Sequence, residues 1–412
     1  MGLLSTPFAL IFSFAVLGIM LYRRVNLGIT LNATALLLGF LALDWWQIPV
    51  KIYETSVDLL TISIVLSTFG VMLLSQLYKE TKMINRLSES LSRIIKNPKI
   101  VVSVLPAVLG FLPVAGGALM SAPLVDSEGE KLGLKPQKKA YVNLWFRHTI
   151  FPVYPLGQVL ILTAALSEAT ISSIIIRNIP IVAVMVVVGY VIGFWKTPNP
   201  KSTLTGSEPN HNFKDFLVAF SPILATIVVA VGLSLTPYGL SKQGFDVLIA
   251  TFIGLIVLIA ISKTNLKTFT KSLKGWGIYG ITFAAYGAFL LGNIIKATEI
   301  STIFESVVAS GNVDITLLLT GIPAVLGVLT ASALGGVSIA MPILGGIMAL
   351  SPRTASLIYI SAYLGYVISP THLCFAFTAD YFKCHLGKIY KYVVPSFIVT
   401  FAAVLLVYFL VA

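Results

Sequence analysis

The chain has 412 residues, of which 57% are hydrophobic and only 11% are charged. Soluble domains carry about 25% charged residues, so this composition excludes an ordinary soluble protein and indicates an integral membrane protein. The net charge of +12 would suggest a nucleic-acid partner in a soluble chain. Here the basic residues lie between apolar runs, which argues against nucleic acid and predicts a lipid bilayer as the surroundings.

Runs of about 20 apolar residues predict the helices that cross the hydrocarbon core. In the first half of the chain these runs are 7–22, 28–46, 57–78, 140–166 and 173–195. In the second half they are 216–236, 244–262, 276–296, 354–380 and 390–411. The segment between the halves, 196–215, is rich in Pro, Asn, Ser and Thr, which is typical of a linker. We therefore expect an all-α, polytopic protein of the cell (cytoplasmic) membrane.

Two further apolar segments, 99–125 and 313–350, carry a repeated motif. The first contains PAVLGFLPVAGGALMSAP and the second contains PAVLGVLTASALGGVSIAMP. Pro and Gly weaken helical hydrogen bonding, so each segment is predicted to be a hairpin of two short helices. A more polar, amphipathic stretch precedes each hairpin, at 79–97 and at 300–311, and is expected to lie in the membrane interface.

The distribution of Lys and Arg predicts the topology. If the chain starts outside and 99–125 turns back on the cytoplasmic side, most of the 28 Lys and Arg lie in cytoplasmic loops. If 99–125 crossed the membrane instead, the basic loops 131–139 and 263–274 would lie outside. We therefore expect both termini outside and the linker 196–215 in the cytoplasm. Segment 313–350 can form a deep hairpin or two full spans without changing this topology.

Each half then consists of three spans, an amphipathic helix, a hairpin, a span interrupted by proline and a final span. Because the first half begins outside and the second begins inside, residues 1–195 and 216–412 are predicted to be inverted repeats. Pro155 and Pro370 occupy matching positions in the two interrupted spans. Inverted repeats with interrupted helices are typical of secondary transporters, whose substrate site lies near the middle of the membrane.

The interrupted spans contain the strongest candidates for a site. A charge at membrane depth is costly and usually functional, and Arg147 offers a planar fork for a carboxylate or phosphate. Alternatively, the Arg147 side chain reaches the cytoplasmic interface along its apolar stem. His372, beside Pro370, is expected to bind substrate or relay a proton, or else to bond a backbone carbonyl. Asp380 can bind an ion or cap the end of its helix.

The predicted substrate site combines these side chains with the hairpin glycines, whose alternative role is close helix packing. Its residues are Gly116, Gly117, Ser121, Asn143, Arg147, His148, Tyr154, Gly335, Gly336, Ser338, Ser369, Thr371 and His372. The residues predicted for a coupling ion are Ala115, Thr163, Leu334, Thr378 and Asp380. No metal site is predicted, because the four histidines, His148, His211, His372 and His385, have no paired spacing.

A family resemblance rests on the two hairpin motifs and on the stretches WFRHTIFPVYP and ISPTHLCFAFTADYF. These resemble an uncharacterised family of prokaryotic membrane proteins grouped with the ion transporter superfamily, which includes gluconate, citrate and dicarboxylate permeases and divalent anion:sodium symporters. The resemblance covers essentially the whole chain. It implies two re-entrant hairpins, two broken helices, and a homodimer in which a transport domain moves like an elevator against a scaffold. The Ser-Asn-Thr hairpin tip of the anion:sodium symporters is absent here.

The predicted function is a secondary active transporter of a small organic anion, expected to be a carboxylate, coupled to Na⁺ or H⁺. The 16 Asp and Glu lie mostly in loops, which argues against the alternative, a cation/proton exchanger of the same fold that would use Asp380 and His372. An intramembrane enzyme is less favoured, because the chain has no H-E-x-x-H or G-x-S-x-G motif. No cofactor is expected, with Na⁺ serving at most as the coupling ion.

Overall fold

Every regular element in the described part of the chain is helical. The computed structural model describes residues 5–410 apart from 24, 96, 112–116, 199–208, 235, 237–239 and 299–313. A helix satisfies its backbone hydrogen bonds within one segment, which is what hydrocarbon requires of a spanning chain. The all-α polytopic fold predicted from composition is therefore confirmed.

The helices follow the same order in both halves. Those of the first half are α1 (Thr6–Tyr22), α2 (Leu27–Ala42), α3 (Gln47–Val57), α4 (Leu59–Glu80), α5 (Met83–Ile94), α6 (Pro98–Gly110), α7 (Ala118–Lys131), α8 (Pro136–Arg147), α9 (Gln158–Ala165) and α10 (Ile171–Phe194). Those of the second half are α11 (Pro209–Ser234), α12 (Phe245–Ser262), α13 (Leu266–Ser272), α14 (Trp276–Ala297), α15 (Ile315–Thr330), α16 (Ala333–Ile347), α17 (Pro352–Ile368), α18 (Leu373–Tyr381) and α19 (Leu386–Leu410). The amphipathic stretch predicted at 300–311 and most of the linker lie outside the described residues.

Eight helical segments among the described residues are long and apolar enough to cross a membrane. They are Leu59–Glu80, Pro136–Ala165, Ile171–Phe194, Phe213–Ser234, Phe245–Ser262, Trp276–Ala297, Pro352–Tyr381 and Leu386–Leu410. The two remaining predicted spans, 7–22 and 28–46, correspond to α1 and α2, which have only 17 and 16 residues. The residues from 43 onward leave the helix, and α3 begins at Gln47.

Helix contacts made in one half recur with the halves exchanged. Helix α2 packs on α14, and α12 packs on α4. In the same way α7 packs on α18 while α16 packs on α9, and α8 packs on α19 while α17 packs on α10. Such an exchange is what a pseudo-twofold relation between the halves produces. That the halves lie upside down relative to each other in the membrane stays a prediction.

The hairpin glycines lie differently from the prediction. Helices α15 and α16 pack against each other, and the chain turns between them at Ala331, which has a left-handed φ of 48°. Ser332 caps α16 by accepting the Gly335 N–H at 3.1 Å. Leu334, Gly335 and Gly336 therefore belong to the first turn of α16 and not to the connection. The corresponding tip of the first hairpin, 112–116, lies outside the described residues, and so do the predicted site residues Ala115 and Gly116.

Helix α5 confirms the predicted amphipathic pattern, while its place in the membrane interface stays a prediction. Its apolar residues Met83, Ile84, Leu87 and Leu91 are buried. They face the neighbouring helices α11 and α6, which α5 contacts. An ion pair between Arg86 and Asp215 joins α5 to α11 at the polar rim. The apolar face is thus covered by protein and not by lipid.

Helices α15 and α17 approach each other most closely at glycines. A Cβ at Gly327 would collide with the backbone carbonyl of Ala362 and come within 3.0 Å of the Tyr366 nitrogen. A Cβ at Gly365 would collide with the Ala324 carbonyl. Since both obstacles are backbone atoms, they cannot rotate away. This contact fixes α17 and its tyrosines, which lie in the largest apolar core together with α7, α8, α16, α18 and α19.

The Gly327→Ala substitution should therefore lower the stability of the protein by about 1–3 kcal/mol, because overpacking must push the two backbones apart. Gly321→Ala on the same helix is the matched control, because its Cβ would meet only Leu317 Cδ1 at 3.7 Å. The control should be neutral or slightly stabilising, since Ala favours helices over Gly by about 1 kcal/mol. Thermal unfolding of the purified protein in detergent measures both, and equal midpoints for the two variants would contradict the close contact.

Candidate functional site

Two helix interruptions face each other inside the protein. Helix α8 ends at Arg147 and α9 begins at Gln158, while α17 ends at Ile368 and α18 begins at Leu373. Both gaps contain proline, which lacks a backbone N–H and disfavours helix in the residue before it. The gaps meet where the rings of His148 and His372 lie perpendicular to each other, with centroids 4.8 Å apart.

Side chains of neighbouring helices satisfy the carbonyl groups that the first interruption frees. This matters because an unpaired carbonyl in a dry interior is costly. Tyr363 donates to the His148 carbonyl, Tyr359 to the Phe151 carbonyl at 2.8 Å, and Asn178 Nδ2 to the Pro152 carbonyl at 2.8 Å. In the second interruption, Tyr390 donates to the Ile368 carbonyl at 2.7 Å. These hydroxyl and amide groups hold both gaps in defined conformations.

Arg147 lies in the last turn of α8 and is 2% exposed. Its Nη1 donates to the Leu109 carbonyl on α6 at 3.0 Å. The structure therefore places the guanidinium inside the protein, and not at the cytoplasmic interface as in the alternative interpretation. Arg147 is also the residue directly before His148, whose ring lies 4.8 Å from that of His372.

His148 is fully buried, and its hydrogen bonds define its tautomer. Its Nδ1 lies 2.6 Å from the Leu144 carbonyl, one turn back on α8. A carbonyl can only accept, so in the neutral ring Nδ1 carries the proton and Nε2 keeps a lone pair. Nε2 lies 3.3 Å from the Tyr366 hydroxyl and is directed toward the second interruption.

His372 is the residue immediately before α18 and is 2% exposed. Neither ring nitrogen has a hydrogen-bond partner of normal geometry among the described residues. The Val367 carbonyl contacts the ring outside that normal geometry. The ring packs on Tyr366 with centroids 4.0 Å apart. A buried polar group in this state is unusual, and a bound water or ion is one of its common explanations.

Cys374 joins the two histidines. The ligating atoms of His148, His372 and Cys374 all lie within 4.8 Å of one another, and all three residues are buried. This group is called the His–His–Cys cluster; the predicted substrate site contained His148 and His372, but it did not contain Cys374. Its members come from different halves of the chain, so no local spacing could reveal them.

A second group of polar contacts lies one helical turn away on the same two helices. Asn143, one turn before Arg147, accepts from the Ser121 hydroxyl at 2.6 Å and donates to the Ala118 carbonyl at 2.9 Å. Its Nδ2 also lies 3.5 Å from the Thr378 hydroxyl on α18. Three predicted residues, Ser121, Asn143 and Thr378, are thus brought together, and they link hairpin helix α7 to both interrupted spans.

The second interruption is tied to α15 through Ser369. Its hydroxyl donates to the Val328 carbonyl at 2.7 Å and lies 3.1 Å from the Thr371 hydroxyl. Thr371 itself is exposed, whereas Ser369 is buried. Ser369 therefore connects the second interruption to helix α15.

The other predicted residues do not join the His–His–Cys cluster. Tyr154 packs edge-on against Phe111, with ring centroids 4.9 Å apart, in a different apolar core. The hydroxyls of Thr163 and Ser338 bond carbonyls of their own helices. Asp380 is exposed near the end of α18, about two turns from His372, so the predicted coupling-ion residue stands apart from the cluster. Gly117 is the residue before α7.

A separate cavity of about 600 Å³ lies among α4, α9, α14 and α16. Its charged lining residues are Glu54, Asp58, Glu168 and Lys296. Neither Arg147 nor the His–His–Cys cluster lines it. By the predicted topology this cavity, the acidic vestibule, opens on the outer side, and its net negative lining favours cations.

Comparisons with known proteins agree with this architecture. A family model described as "Protein of unknown function (DUF401)" matches residues 4–411. The structure of this chain is similar, with a TM-score of 0.60, to the crystal structure of the Alcanivorax borkumensis YdaH transporter, which is described as revealing an unusual topology. That match covers 88% of this chain and 87% of the other at 13% identity, so it shows a common fold and not a common substrate. No curated protein matches the chain.

The Asn143 contacts predict a graded loss of stability. Asn143→Leu should cost about 2–3 kcal/mol, because the Ala118 carbonyl and the Ser121 hydroxyl lose their partner in a dry interior. Thr378→Val is the milder control and should cost less than about 1 kcal/mol, because only the 3.5 Å contact is lost. Thermal unfolding midpoints in detergent compare them. A Thr378→Val protein that is less stable than the Asn143→Leu protein would show that Asn143 does not organise this group.

Proposed function

Because the chain belongs to the DUF401 family and has the fold of a membrane transporter, we propose that it is a secondary active transporter of a small organic anion. The observation that carries this proposal is the burial of Arg147 beside His148 and His372, where two interrupted helices meet. Discontinuous helices at the middle of the membrane are where secondary transporters bind their substrates.

The chemistry of the site favours an anion, expected to be a carboxylate. A guanidinium keeps its positive charge under all conditions and offers parallel N–H donors that match two carboxylate oxygens. The amino end of α18 begins directly after His372, and a helix amino terminus favours negative charge. The Tyr366 hydroxyl and the imidazoles supply further hydrogen bonds for orienting a bound anion.

The placement of carboxylates argues against the alternative of a cation/proton exchanger. Asp246 is the only buried Asp or Glu among the described residues. It lies in the first turn of α12, where its carboxylate accepts the Val247 N–H. An exchanger of this fold would need Asp380 beside His372, but Asp380 is exposed. A non-enzymatic role is part of the same proposal.

Coupling to H⁺ or Na⁺ would use different parts of the site. The His148–His372 pair can carry a proton, since imidazole titrates near neutral pH. The oxygens of Asn143, Ser121 and Thr378 are the hard ligands that Na⁺ prefers. The acidic vestibule would attract either cation on the outer side. The recurrence of helix contacts between the halves supports the further proposal of inverted repeats. The proposal of an elevator motion in a homodimer follows from the family resemblance alone.

A thermal-shift screen of the purified protein against mono-, di- and tricarboxylates tests the anion site. It is run with Na⁺ present or replaced by K⁺, at two pH values. At least one anion should raise the unfolding midpoint of the wild-type protein. Arg147→Gln should abolish this shift, and Arg147→Lys should reduce it, because Lys keeps the charge but loses the planar fork.

Arg353→Gln is the matched control, because Arg353 is a partly buried arginine over the Tyr408 ring, at 4.5 Å, away from the cluster. It should keep the full anion shift. Monodisperse elution of each variant shows that it is folded. The proposal is wrong if no anion stabilises the wild-type protein, or if Arg147→Gln keeps the wild-type shift.

Labelling of single cysteines tests the inverted topology. Ser127→Cys lies near the end of α7 and Ala349→Cys just after α16, and both positions are exposed. Each is placed in a Cys384→Ser background. In intact cells an impermeant maleimide should label the Ala349→Cys variant, whereas the Ser127→Cys variant should react only after the membrane is permeabilised. Labelling of both variants from the same side would refute the inversion of the two hairpins.

A further inference from the structure

We propose that the His–His–Cys cluster is a binding site for a soft monovalent metal ion of the Cu(I) class. The cluster consists of His148, His372 and Cys374, whose ligating atoms lie within 4.8 Å of one another and are buried. The inference does not depend on the proposed transport function, because metal binding is measured on the purified protein alone.

The donor atoms determine the class of metal. The thiolate sulfur is a soft ligand and imidazole nitrogen suits zinc and copper, so this donor set selects Cu(I) or Zn²⁺ over Mg²⁺, Ca²⁺ or Na⁺. No Asp or Glu takes part in the described cluster, so the hard oxygen ligands that Ca²⁺ and Mg²⁺ need are missing there. On binding, Cys374 loses its thiol proton to water as the sulfur–metal bond forms.

The two histidines are already arranged as metal ligands. The Leu144 carbonyl holds Nδ1 of His148 at 2.6 Å, so the Nε2 lone pair faces the cluster, where it meets the Tyr366 hydroxyl at 3.3 Å, a long contact that a metal ion can displace. This is the outer-shell hydrogen bond that metal-binding histidines usually make. His372 has neither ring nitrogen in a hydrogen bond of normal geometry within the described part of the chain. Bringing the three donors onto one ion requires closing the longest separation by about 1 Å, which small side-chain rotations can supply.

Charge decides between a monovalent and a divalent ion. Cu(I) with one thiolate and two neutral imidazoles forms an uncharged complex. Zn²⁺ with the same ligands would leave a net positive charge beside the buried guanidinium of Arg147, the residue directly before His148. Like charges in an interior of low dielectric repel strongly. The surroundings of the cluster therefore favour the monovalent ion.

Metal binding would join the two halves of the chain. His148 follows α8 of the first half, while His372 directly precedes α18 of the second half and Cys374 lies in its first turn. The metal would also occupy the imidazole nitrogens that the proposed anion site uses. A bound ion therefore excludes the anion and holds the two interruptions together.

The test is a competition for Cu(I) between tag-free protein and the colorimetric chelator bicinchoninate, in detergent, without oxygen and with a reductant. Wild-type protein should withdraw about one equivalent of Cu(I) per chain. Cys374→Ser should abolish this uptake, and His372→Gln should weaken it at least about tenfold, because each removes one ligand. X-ray absorption at the copper edge of the wild-type complex should show one sulfur and two nitrogen neighbours.

The chain contains its own control pair. Cys384 is half-buried and His385 is exposed in the turn between α18 and α19, away from the interruptions. The double variant Cys384→Ser, His385→Gln should bind Cu(I) as the wild type does. Unchanged binding by Cys374→Ser, binding lost with the control pair, or a copper spectrum without sulfur would overturn the proposal. If a substitution in the core prevents folding, the X-ray absorption spectrum still tests the proposal, because it is recorded on the wild-type protein.

Discussion

A buried positive charge constrains the centre of this protein. The Arg147 guanidinium is buried within the span-length segment Pro136–Ala165, where a charge is tolerated only if protein groups replace water around it. The Leu109 carbonyl accepts one of its hydrogen bonds, so helix α6 of the hairpin must stay against the end of α8. The position of the first hairpin and the conformation of the first interruption are therefore tied to the same side chain.

The helix interruptions are held by aromatic hydroxyls. Tyr359 and Tyr363 of α17 donate to carbonyls freed after α8, and Tyr390 of α19 donates to the carbonyl at the end of α17. Tyrosine suits this role because its ring packs in an apolar core while its hydroxyl satisfies a buried carbonyl. The glycine contact between α15 and α17 holds Tyr359 and Tyr363 in place. Stability and site geometry thus depend on the same helix pair.

Much of the architecture could be predicted, and the errors have physical reasons. Apolar run lengths and prolines identified the spans and both interruptions, since hydrocarbon thickness and the missing proline N–H act locally. The double glycine of the second hairpin was predicted to form the tip of that hairpin. In the structure Gly336 lies within helix α16, where it packs against Gly327 of α15 and Ala362 of α17. The amphipathic face of α5 was assigned to lipid, but α11 covers it. In both cases the local pattern was correct, and the partner surface was not readable from it.

The sequence by itself determined that the chain is an all-α membrane protein with two interrupted spans, and it identified Arg147, His148 and His372 as candidates. Hydrophobicity, charge and proline act within a few residues, so they are visible in the order of amino acids. Only the tertiary structure decided that Cys374 joins His148 and His372 in one buried cluster and that Asp380 stands apart from it. Contacts between the two halves arise from the packing of whole helices, and no local spacing encodes them.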